Sequence, residues 1–310
     1  MSAKTSTPRF DPTDPIFRWV SFAAATLLLT TLGGIIVALL VGGWPALAKF
    51  GLNFFTTTSW NPVTEVYGAA GPIVGTLVSS ILALAFALPI AIGIAVFLTQ
   101  FCPRIIAQPL STAVELLAGI PSIVYGMWGL FVFAPFFAQH IQLPLMMMAP
   151  KGSLLQKLTM GVPNGANVLT ASIVLAVMIL PYMAAVFREL FRSIPPQVRE
   201  AAFGVGATPF EVVTSVIIPY VQKGMIGVIM LGLGRALGET MAVTFIIGNS
   251  HRFPKSLFDS SSTLASTIAN EFNEASGMHS SALIALGLVL FLITFAVLAI
   301  ARALLSSQRY

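Results

Sequence analysis

The chain has 310 residues, a mass of 32.9 kDa and a mean hydropathy of +0.90. Charged residues make up 9% of it, against about 25% in an average soluble domain, which excludes both a soluble enzyme and a disordered protein. The net charge of +5 does not indicate a nucleic-acid partner, because the basic residues lie at the ends of apolar runs and form no stripe. This composition predicts an integral membrane protein that contacts the lipid bilayer.

Six runs are long and apolar enough to cross a bilayer, because a hydrocarbon core about 30 Å thick needs roughly 20 helical residues. None shows the period-two alternation that a barrel strand requires. We therefore predict an all-α fold with six transmembrane helices near 19–42, 71–99, 113–137, 168–190, 224–248 and 280–302. The predicted organisation is an N-terminal tail at 1–18, a separate first helix at 19–42, a five-helix core at 71–302 and a C-terminal tail at 303–310.

The distribution of lysine and arginine predicts the orientation of these helices. Ten of these residues fall in the N-terminal tail, the 100–112 turn, the 188–223 loop and the C-terminal tail, and five fall in the remaining connections. By the positive-inside rule, both termini and the 188–223 loop are predicted to be cytoplasmic.

Several titratable side chains have ordinary structural interpretations. Glu115 falls near the cytoplasmic start of the third predicted helix, where a helix N-terminus tolerates an acid. His140, His251 and His279 fall in outer segments without metal-ligand spacing, so they are predicted to be solvated and no metal site is expected.

The segment 192–221 predicts a helix–turn–helix between the fourth and fifth transmembrane helices. A proline pair at 195–196 is suited to open a first helix, and Thr208 with Pro209 is suited to open a second helix that ends at Pro219. Small side chains in the first helix allow it to lie deep in the groove of a partner, and its acid offers a carboxylate to a basic partner. From the residues alone, the alternative is an ordinary amphipathic connector.

The spacing of this segment resembles the EAA loop of ABC importer permeases. The pattern is an acid and two alanines, three residues, a glycine, nine residues, and then Val-x-Ile-Pro. The residues concerned are Glu200, Ala201, Ala202, Gly206, Val216, Ile218 and Pro219, with valine and isoleucine in place of the usual Ile and Leu. The resemblance implies that this coupling loop, residues 192–221, docks in a cleft of a cytoplasmic ATPase subunit and couples its closure to the membrane helices.

The chain lacks the phosphate-binding loop of ATPases. No G-x-x-x-x-G-K-[ST] motif is present in the sequence, and the glycine-rich run GLGRALGE at 232–239 has no such lysine. We therefore predict that this chain is not an enzyme and holds no cofactor, and that ATP and Mg²⁺ are bound by the partner ATPase.

Two charged residues lie inside the fifth predicted helix. Arg235 and Glu239 are four residues apart and close to Thr240 and Thr244, and insertion scales put an Arg at a helix centre at about 2.5–3.5 kcal/mol unfavourable. We therefore predict a cross-turn ion pair that faces the bundle interior. Two roles remain open: the pair fixes helices or subunits in register, or these residues line a substrate path or gate. In the second role, Arg235 binds an oxyanion through two parallel hydrogen bonds and Glu239 prevents binding that is too tight.

The last outer segment predicts a short amphipathic helix, because Leu264, Ile268 and Phe272 recur at four-residue spacing. Its acids, Glu271 and Glu274, have two interpretations. They face an extracytoplasmic binding protein, or they lie on an ordinary solvated helix face.

Three sequence stretches narrow the family. LGLGRALGETMAVTFIIGN at 231–249, ELLAGIPSIVYGMWGLFVFAP at 115–135 and NEFNEASGMHSSAL at 270–283 are similar to the PstC-type permease of the bacterial phosphate ABC importer. The resemblance covers about residues 20–305. It implies a type I ABC importer permease bundle in the bacterial plasma (inner) membrane. It also implies a PstA-type permease, an ATP-binding subunit dimer and an extracytoplasmic phosphate-binding protein as partners.

Alternatives remain open at this point. A PstA-type companion permease shares the RALGET and PSIVYG cores, and an arginine inside a bundle equally suits an ABC permease for another oxyanion. A six-helix channel or ion-driven anion carrier would leave the coupling loop unexplained. A membrane-embedded enzyme would need a nucleophile–base pair or a metal constellation at membrane depth, and the sequence indicates neither.

Overall fold

Long apolar runs without strand alternation give an almost entirely helical chain over residues 13–307, the part that this computed structural model describes. The helices in chain order are α1 Thr13–Phe50, α2 Asn53–Thr56, α3 Ala70–Val96, α4 Arg104–Ala118, α5 Ser122–Trp128, α6 Ala134–Phe137, α7 Leu143–Met148, α8 Leu154–Thr159, α9 Val168–Arg192, α10 Pro196–Gly204, α11 Pro209–Glu211, α12 Ile218–Leu237, α13 Met241–Ile246, α14 Leu264–Glu271 and α15 Gly277–Ser307. π-Helical segments occupy Phe97–Phe101, Gly129–Phe133, Ala138–Gln142 and Val212–Ile217. Two short strands, β1 Trp60–Asn61 and β2 Val66–Tyr67, form an antiparallel hairpin that departs from the predicted all-α pattern.

Six helical stretches of the described residues are long and apolar enough to cross a membrane, which confirms the predicted number. In chain order, spans 1 to 6 are Pro15–Phe50, Ala70–Phe101, Ser122–Met148, Val168–Arg192, Pro209–Leu237 and Gly277–Ala303. Spans 2, 4 and 6 match the predicted helices within a few residues, and span 1 is longer than predicted. The predicted tails lie outside the described residues at 1–12 and 308–310, whereas residues 13–18 already belong to α1 and residues 303–307 to α15.

Span 4 forms the centre of the bundle, and span 2 packs along it. Their close approach rests on a stripe of alanines that places one small side chain on each turn of α3. These are Ala83, Ala87, Ala91 and Ala95, all 0% exposed. Larger residues of α9, such as Leu175, Met178 and Ile179, fill the core beside the stripe.

Span 3 begins later than predicted, because the third apolar run contains a helix break. α4 ends at Ala118, and the next helix begins at Ser122 after Pro121. Proline has no N–H and disfavours the helical conformation of the residue before it, so a helix through Ile120 and Pro121 would be strained. The prediction of one helix over 113–137 was therefore wrong at its start.

Span 5 also differs from the predicted 224–248 helix at both ends. It begins at Pro209 inside the coupling loop, passes through a π-helical turn and Pro219, and ends at Leu237 before Gly238. Prolines and π-turns commonly bend a helix without ending it, so the prediction that Pro219 ends a short second helix was wrong. The coupling loop and the fifth transmembrane helix share one continuous helix.

Span 1 packs on span 6 and leaves most of its own surface exposed. The contact depends on two glycines of α1: a Cβ added to Gly43 would lie 3.1 Å from the Cα of Ala285. At the same place Ser281 Oγ accepts from the backbone N–H of Ala46 at 3.1 Å and donates to the carbonyl of Gly42 at 2.8 Å. Close backbone approach at small residues is typical of packing in membranes.

Candidate functional site

The helix break at 238–240 separates the four predicted path residues. Arg235 lies in the last turn of α12, Glu239 and Thr240 lie in the connection, and Thr244 lies in α13. The Arg235 guanidinium is half-buried, with its central carbon 5.4 Å from the centre of the Tyr182 ring of α9. This distance is within the range of a cation–π contact.

The predicted ion pair between Arg235 and Glu239 was wrong, because the helix ends between them and the four-residue spacing no longer places them on one face. Glu239 Oε1 instead accepts from the backbone N–H of Ala242 at 3.1 Å, at the first turn of α13, where a carboxylate is favourable. The Thr240 and Thr244 hydroxyls donate to the carbonyls of Gly238 and Thr240, at 3.3 and 2.7 Å.

Arg235 has no carboxylate partner among the side chains that the structure describes, those of residues 15–103 and 105–303. It takes part in none of the ion pairs of this part of the chain. Its guanidinium contacts the Tyr182 ring and also interacts electrostatically with Tyr125 of span 3. Sequence reasoning missed Tyr182, and an aromatic residue next to Pro181 in an apolar span gives no sign of such a role. The guanidinium therefore keeps donors that can bind an anion.

Span 3 holds the opposite side of the break in place. Gly126 of α5 lies against α13, where an added Cβ would approach the Cα of Ala242 to 2.9 Å. The hydroxyl of the preceding residue, Tyr125, donates to the carbonyl of Leu117 at 2.9 Å, across the break between α4 and α5. The path residues and the end of α4 are thus linked through one short segment of span 3.

The coupling loop has the predicted helix–turn–helix form, with α10 followed by span 5. Glu200 and Ala201 are exposed on α10, while Ala202 is half-buried against the core. Gly206 in the turn has φ +90°, and an added Cβ would meet no atom within 4 Å. The glycine is therefore needed for the backbone conformation and leaves space around it. Pro219 lies further along span 5 and is exposed.

Apolar side chains surround the exposed face of α10. Phe203 is 48% exposed, Val205 is 87% exposed and Phe210 is 73% exposed. Large exposed apolar side chains close together in sequence are typical of a protein interaction surface when they lie outside the lipid. The loop therefore offers one carboxylate and several apolar groups to a partner.

Glu115 does not lie at the start of a transmembrane helix as predicted. It lies in the last turn of α4, and its Oε1 accepts from Arg188 Nη2 of α9 at 2.5 Å. The Arg188 side chain is 7% exposed and also contacts Glu189 Oε1 at 2.5 Å. The sequence contained one sign of this pair: Arg188 lies near the end of an apolar helix, where a buried arginine needs a carboxylate partner.

A second cluster on the opposite side of the bundle centres on Glu271, at the end of α14, which confirms the predicted short helix. Glu271 accepts from the indole of Trp60 at 2.8 Å, and His279 and His251 approach it at 2.7 and 3.3 Å. Trp60 stacks on His251, and Tyr67 stacks on His279. The side chains of His251 and His279 are 22% and 14% exposed, so these two histidines are not solvated as predicted. Glu271 is 22% exposed, which excludes the interpretation that it lies on an ordinary solvated helix face.

Burial lowers the pKa of His251, and the Glu271 carboxylate partly opposes this effect. His140 lies in the π-helical segment Ala138–Gln142 of span 3, where its Nδ1 is 3.1 Å from the Phe136 carbonyl, so the prediction that it falls in a solvated outer segment was wrong. The hairpin of β1 and β2 brings its aromatic residues to the two histidines. Because Trp60 and Tyr67 of the hairpin are about 200 residues away from Glu271 and His279, no local sequence pattern indicates the cluster.

Comparison with known proteins adds family information to this geometry. Residues 87–310 match the family model described as "Binding-protein-dependent transport system inner membrane component". The chain is 50% identical to the "Phosphate transport system permease protein PstC" of Mesorhizobium japonicum, with 96% of this chain and 91% of the relative covered. It is 48% identical to the protein of that name in Haemophilus influenzae, with 96% and 94% covered. PstC 1 of Mycobacterium tuberculosis is 36% identical, with 90% and 89% covered.

Solved structures show the same fold at lower identity. A chain of a bacterial alginate ABC transporter, crystallised with an alginate-bound periplasmic protein, has a TM-score of 0.60 at 14% identity, with 94% of this chain and 95% of that chain covered. A chain of the inward-facing MetNI methionine ABC transporter has a TM-score of 0.52 at 20% identity, with 79% and 99% covered. The helix arrangement is thus that of ABC importer permeases.

Proposed function

Because this chain belongs to the PstC family of phosphate transport permeases, it is the membrane-spanning permease subunit of a phosphate ABC importer, and we propose that phosphate passes beside Arg235. The chain is an integral inner-membrane protein and not an enzyme, and ATP is hydrolysed in a separate subunit. Membership of this family also implies a substrate-binding partner.

A fuller assembly is part of the same proposal. A PstA-type permease completes the path, an ATP-binding subunit dimer contacts the two coupling loops, and an extracytoplasmic phosphate-binding protein delivers the substrate. The coupling loop supports the second contact, because Glu200 and Ala201 of α10 are exposed beside apolar side chains. Both chain termini and this loop are then cytoplasmic, as the distribution of basic residues predicts.

The half-buried Arg235, which has no carboxylate partner among the described side chains, is the observation that carries the proposed path. A guanidinium at membrane depth is unfavourable without a counter-charge, and the Tyr182 ring offsets this cost only in part. A phosphate oxyanion can accept two parallel hydrogen bonds from one guanidinium. An arginine that lacks a protein carboxylate is therefore suited to receive phosphate as a transient partner.

Glu239 and the two threonines contribute to release in this proposal. Glu239 is held at the first turn of α13 and does not neutralise Arg235, but its negative charge near the path opposes tight binding of an anion. Thr240 and Thr244 hold the connection through their hydrogen bonds to backbone carbonyls. The break at 238–240 is the element whose conformation changes when the path opens.

Span 5 supports the coupling of this site to ATP hydrolysis. It runs without interruption from Pro209 in the coupling loop to Leu237, two residues beyond Arg235. Movement of the docked helix α10, passed on through the turn at Gly206, therefore reaches the path along one continuous helix. Gly206 in the preceding turn fixes the position of α10 relative to this helix.

Radiolabelled phosphate uptake tests the proposal. Cells that lack this chain are expected to lose uptake, the restored chain is expected to recover it, and excess unlabelled phosphate but not sulfate is expected to compete. Gentle purification of the tagged chain is expected to retain an ATPase. Uptake that sulfate suppresses equally would contradict the phosphate assignment, and a chain that transports without any ATPase would favour an ion-driven carrier.

A further inference from the structure

Arg188 is a buried cation near the end of α9 that carries the coupling loop. Its side chain is 7% exposed, and its guanidinium has two carboxylate partners. Glu189 comes from the same helix, with contacts to Nε at 3.1 Å and Nη2 at 2.5 Å. Glu115 comes from α4 and contacts Nη2 at 2.5 Å. The guanidinium therefore links two helices that the sequence separates by 73 positions.

The carboxylates of Glu189 and Glu115 stabilise different contacts of Arg188. A buried guanidinium needs a counter-charge, because an unpaired buried charge is strongly unfavourable. Glu189 alone provides that counter-charge with two hydrogen bonds, and it also contacts Arg192 at 3.5 Å. Glu115 is not needed to neutralise Arg188, so its specific effect is to hold the end of α4 against α9.

On one side, this pair lies next to the coupling loop. α9 ends at Arg192, and the coupling helix α10 begins at Pro196. Arg199 of α10 donates from Nη2 to the carbonyl of Phe191, less than one turn beyond Arg188. A movement of α10 therefore acts directly on the turn of α9 that holds Glu115.

On the other side, the pair leads to the proposed path. Glu115 is three residues from the end of α4, where the Leu117 carbonyl accepts from the hydroxyl of Tyr125. The next residue, Gly126, lies against Ala242 of α13. This is the same Ala242 whose N–H donates to Glu239. A continuous set of contacts thus runs from the coupling helix to the break beside Arg235.

We propose that the Glu115–Arg188 pair is a positioning contact that transmits movement of the coupling loop, through α4 and the start of span 3, to α13. The inference rests on the proposed function, because it requires an ATPase docked on residues 192–221. Span 5 is the first route by which this movement reaches the break at 238–240, and the Glu115–Arg188 pair provides a second. Both sides of the break then respond to the same movement of the coupling loop. Glu115 and Arg188 touch no substrate in this mechanism.

The test compares two single carboxylate variants in the assembled importer, purified and reconstituted in lipid vesicles with its binding protein. Glu115→Gln removes the charge that links α4 to α9, and Glu189→Gln removes the other partner of the same guanidinium without touching α4. The measured quantity is phosphate taken up per ATP hydrolysed. We expect a fall of about two- to thirtyfold for Glu115→Gln, the range by which mutations between coupled sites change their coupling, and little change for Glu189→Gln.

An unchanged ratio of phosphate uptake to ATP hydrolysis in Glu115→Gln, or an equal fall in both variants, would overturn the proposal. Failure of Glu115→Gln to assemble, with Glu189→Gln assembled, would assign the pair to stability alone and would also overturn it. Retention of the ratio in Glu115→Asp, which keeps the carboxylate, is expected. If the unmodified complex captured no ATPase or carried no phosphate, the proposed function itself would fail, which is a distinct result.

Discussion

At the scale of single residues, the groups proposed to act in transport are those that make few contacts within the chain. Arg235 has no described carboxylate partner, and Gly206 has open space around it together with a positive φ. Most other polar side chains of the described residues near the path bond to neighbouring backbone, as Thr240 and Thr244 do. Groups left available in this way can respond to a substrate or a partner without first breaking internal contacts.

Replacing Arg235 tests the path directly. Arg235→Gln is expected to lower phosphate uptake by about tenfold or more, because hydrogen bonds to charged groups contribute about 1.5–3 kcal/mol each, and 1.4 kcal/mol corresponds to tenfold. Arg235→Lys keeps the charge but loses the planar pair of donors, so intermediate uptake is expected. Uptake is measured in cells with equal amounts of assembled complex, determined by co-purification of the ATPase. Loss of the complex in Arg235→Gln would favour the alternative that the arginine fixes helices in register.

Replacing Gly206 tests the coupling loop. Gly206→Leu forces a branched side chain into a positive-φ backbone, which costs about 1–2 kcal/mol for a non-glycine residue and displaces α10. Gly227→Leu is the matched control, because Gly227 is equally open, has no positive φ and lies outside the coupling loop. We expect ATPase co-purification to fall about fivefold or more for Gly206→Leu alone, with membrane insertion retained. Normal co-purification and transport in that variant would count against the assignment.

At the scale of helices, hydropathy and glycine–proline spacing predicted the number of spans and the coupling loop but not the two breaks. The third and fifth apolar runs each contain two helices, because Pro121 and Gly238 end a helix inside a run whose hydropathy does not change. Hydropathy indicates whether a segment lies in lipid or in water, and it does not indicate whether the helix in that segment is unbroken. The Arg235–Glu239 pairing failed for this reason, since a four-residue spacing has meaning only inside an unbroken helix.

The cluster around Glu271 could not be predicted for a different reason. Its hydrogen bonds join Trp60 to Glu271, and its ring contacts join Tyr67 to His279. Contacts at such separation depend on how helices and loops meet, so each residue alone has the ordinary interpretation of a solvated or interfacial side chain. The Glu115–Arg188 pair likewise depends on the packing of α4 against α9.

The cluster around Glu271 makes stability depend on pH. His251 has a lowered pKa in the folded protein, because burial outweighs the Glu271 carboxylate, so the unfolded chain binds its proton more readily in mild acid. Its contribution to stability is complete above the ordinary histidine pKa of about 6.5 and is lost as the pH falls below that value. We expect the melting temperature of the purified protein to fall between about pH 7.5 and 5.5, with a smaller fall in His251→Gln.

His140→Gln is the control for this measurement. His140 is exposed and lies outside the cluster, so this variant is expected to keep the pH dependence of the original chain. Glu271, His279 and Tyr67 also face the cluster, and the comparison with His251→Gln isolates the contribution of His251. Equal pH dependence in His251→Gln and the unmodified chain would refute the expectation.

At the scale of the whole molecule, the chain consists of a bundle with one helix at its side. Span 1 packs on span 6 and not on the central span 4, whereas spans 2 to 5 meet in one core. The family model matches from residue 87 onward and so does not include span 1. The separate first helix and the five-helix core therefore remain predicted units with different expected roles.

Glycine substitutions in span 1 test this division. Gly43→Leu places a side chain against the backbone of Ala285, whereas Gly34→Leu meets no atom within 4 Å and is the control. We expect Gly43→Leu to abolish a disulfide crosslink engineered between α1 and α15, while ATPase co-purification remains at about the level of the control. Loss of the ATPase in Gly43→Leu would show that span 1 is required for the core. Retention of the crosslink would show that the glycine contact is dispensable.

The uninterrupted helix of span 5 also has a geometric consequence. Pro209 and Arg235 are 26 positions apart, which corresponds to roughly 39 Å at 1.5 Å per residue. If the helix pivots near its docked end, a tilt of only about 5° displaces the guanidinium by roughly 3.4 Å, somewhat more than the length of a hydrogen bond. A small angular change of span 5 is therefore sufficient to make or break the contact between arginine and anion.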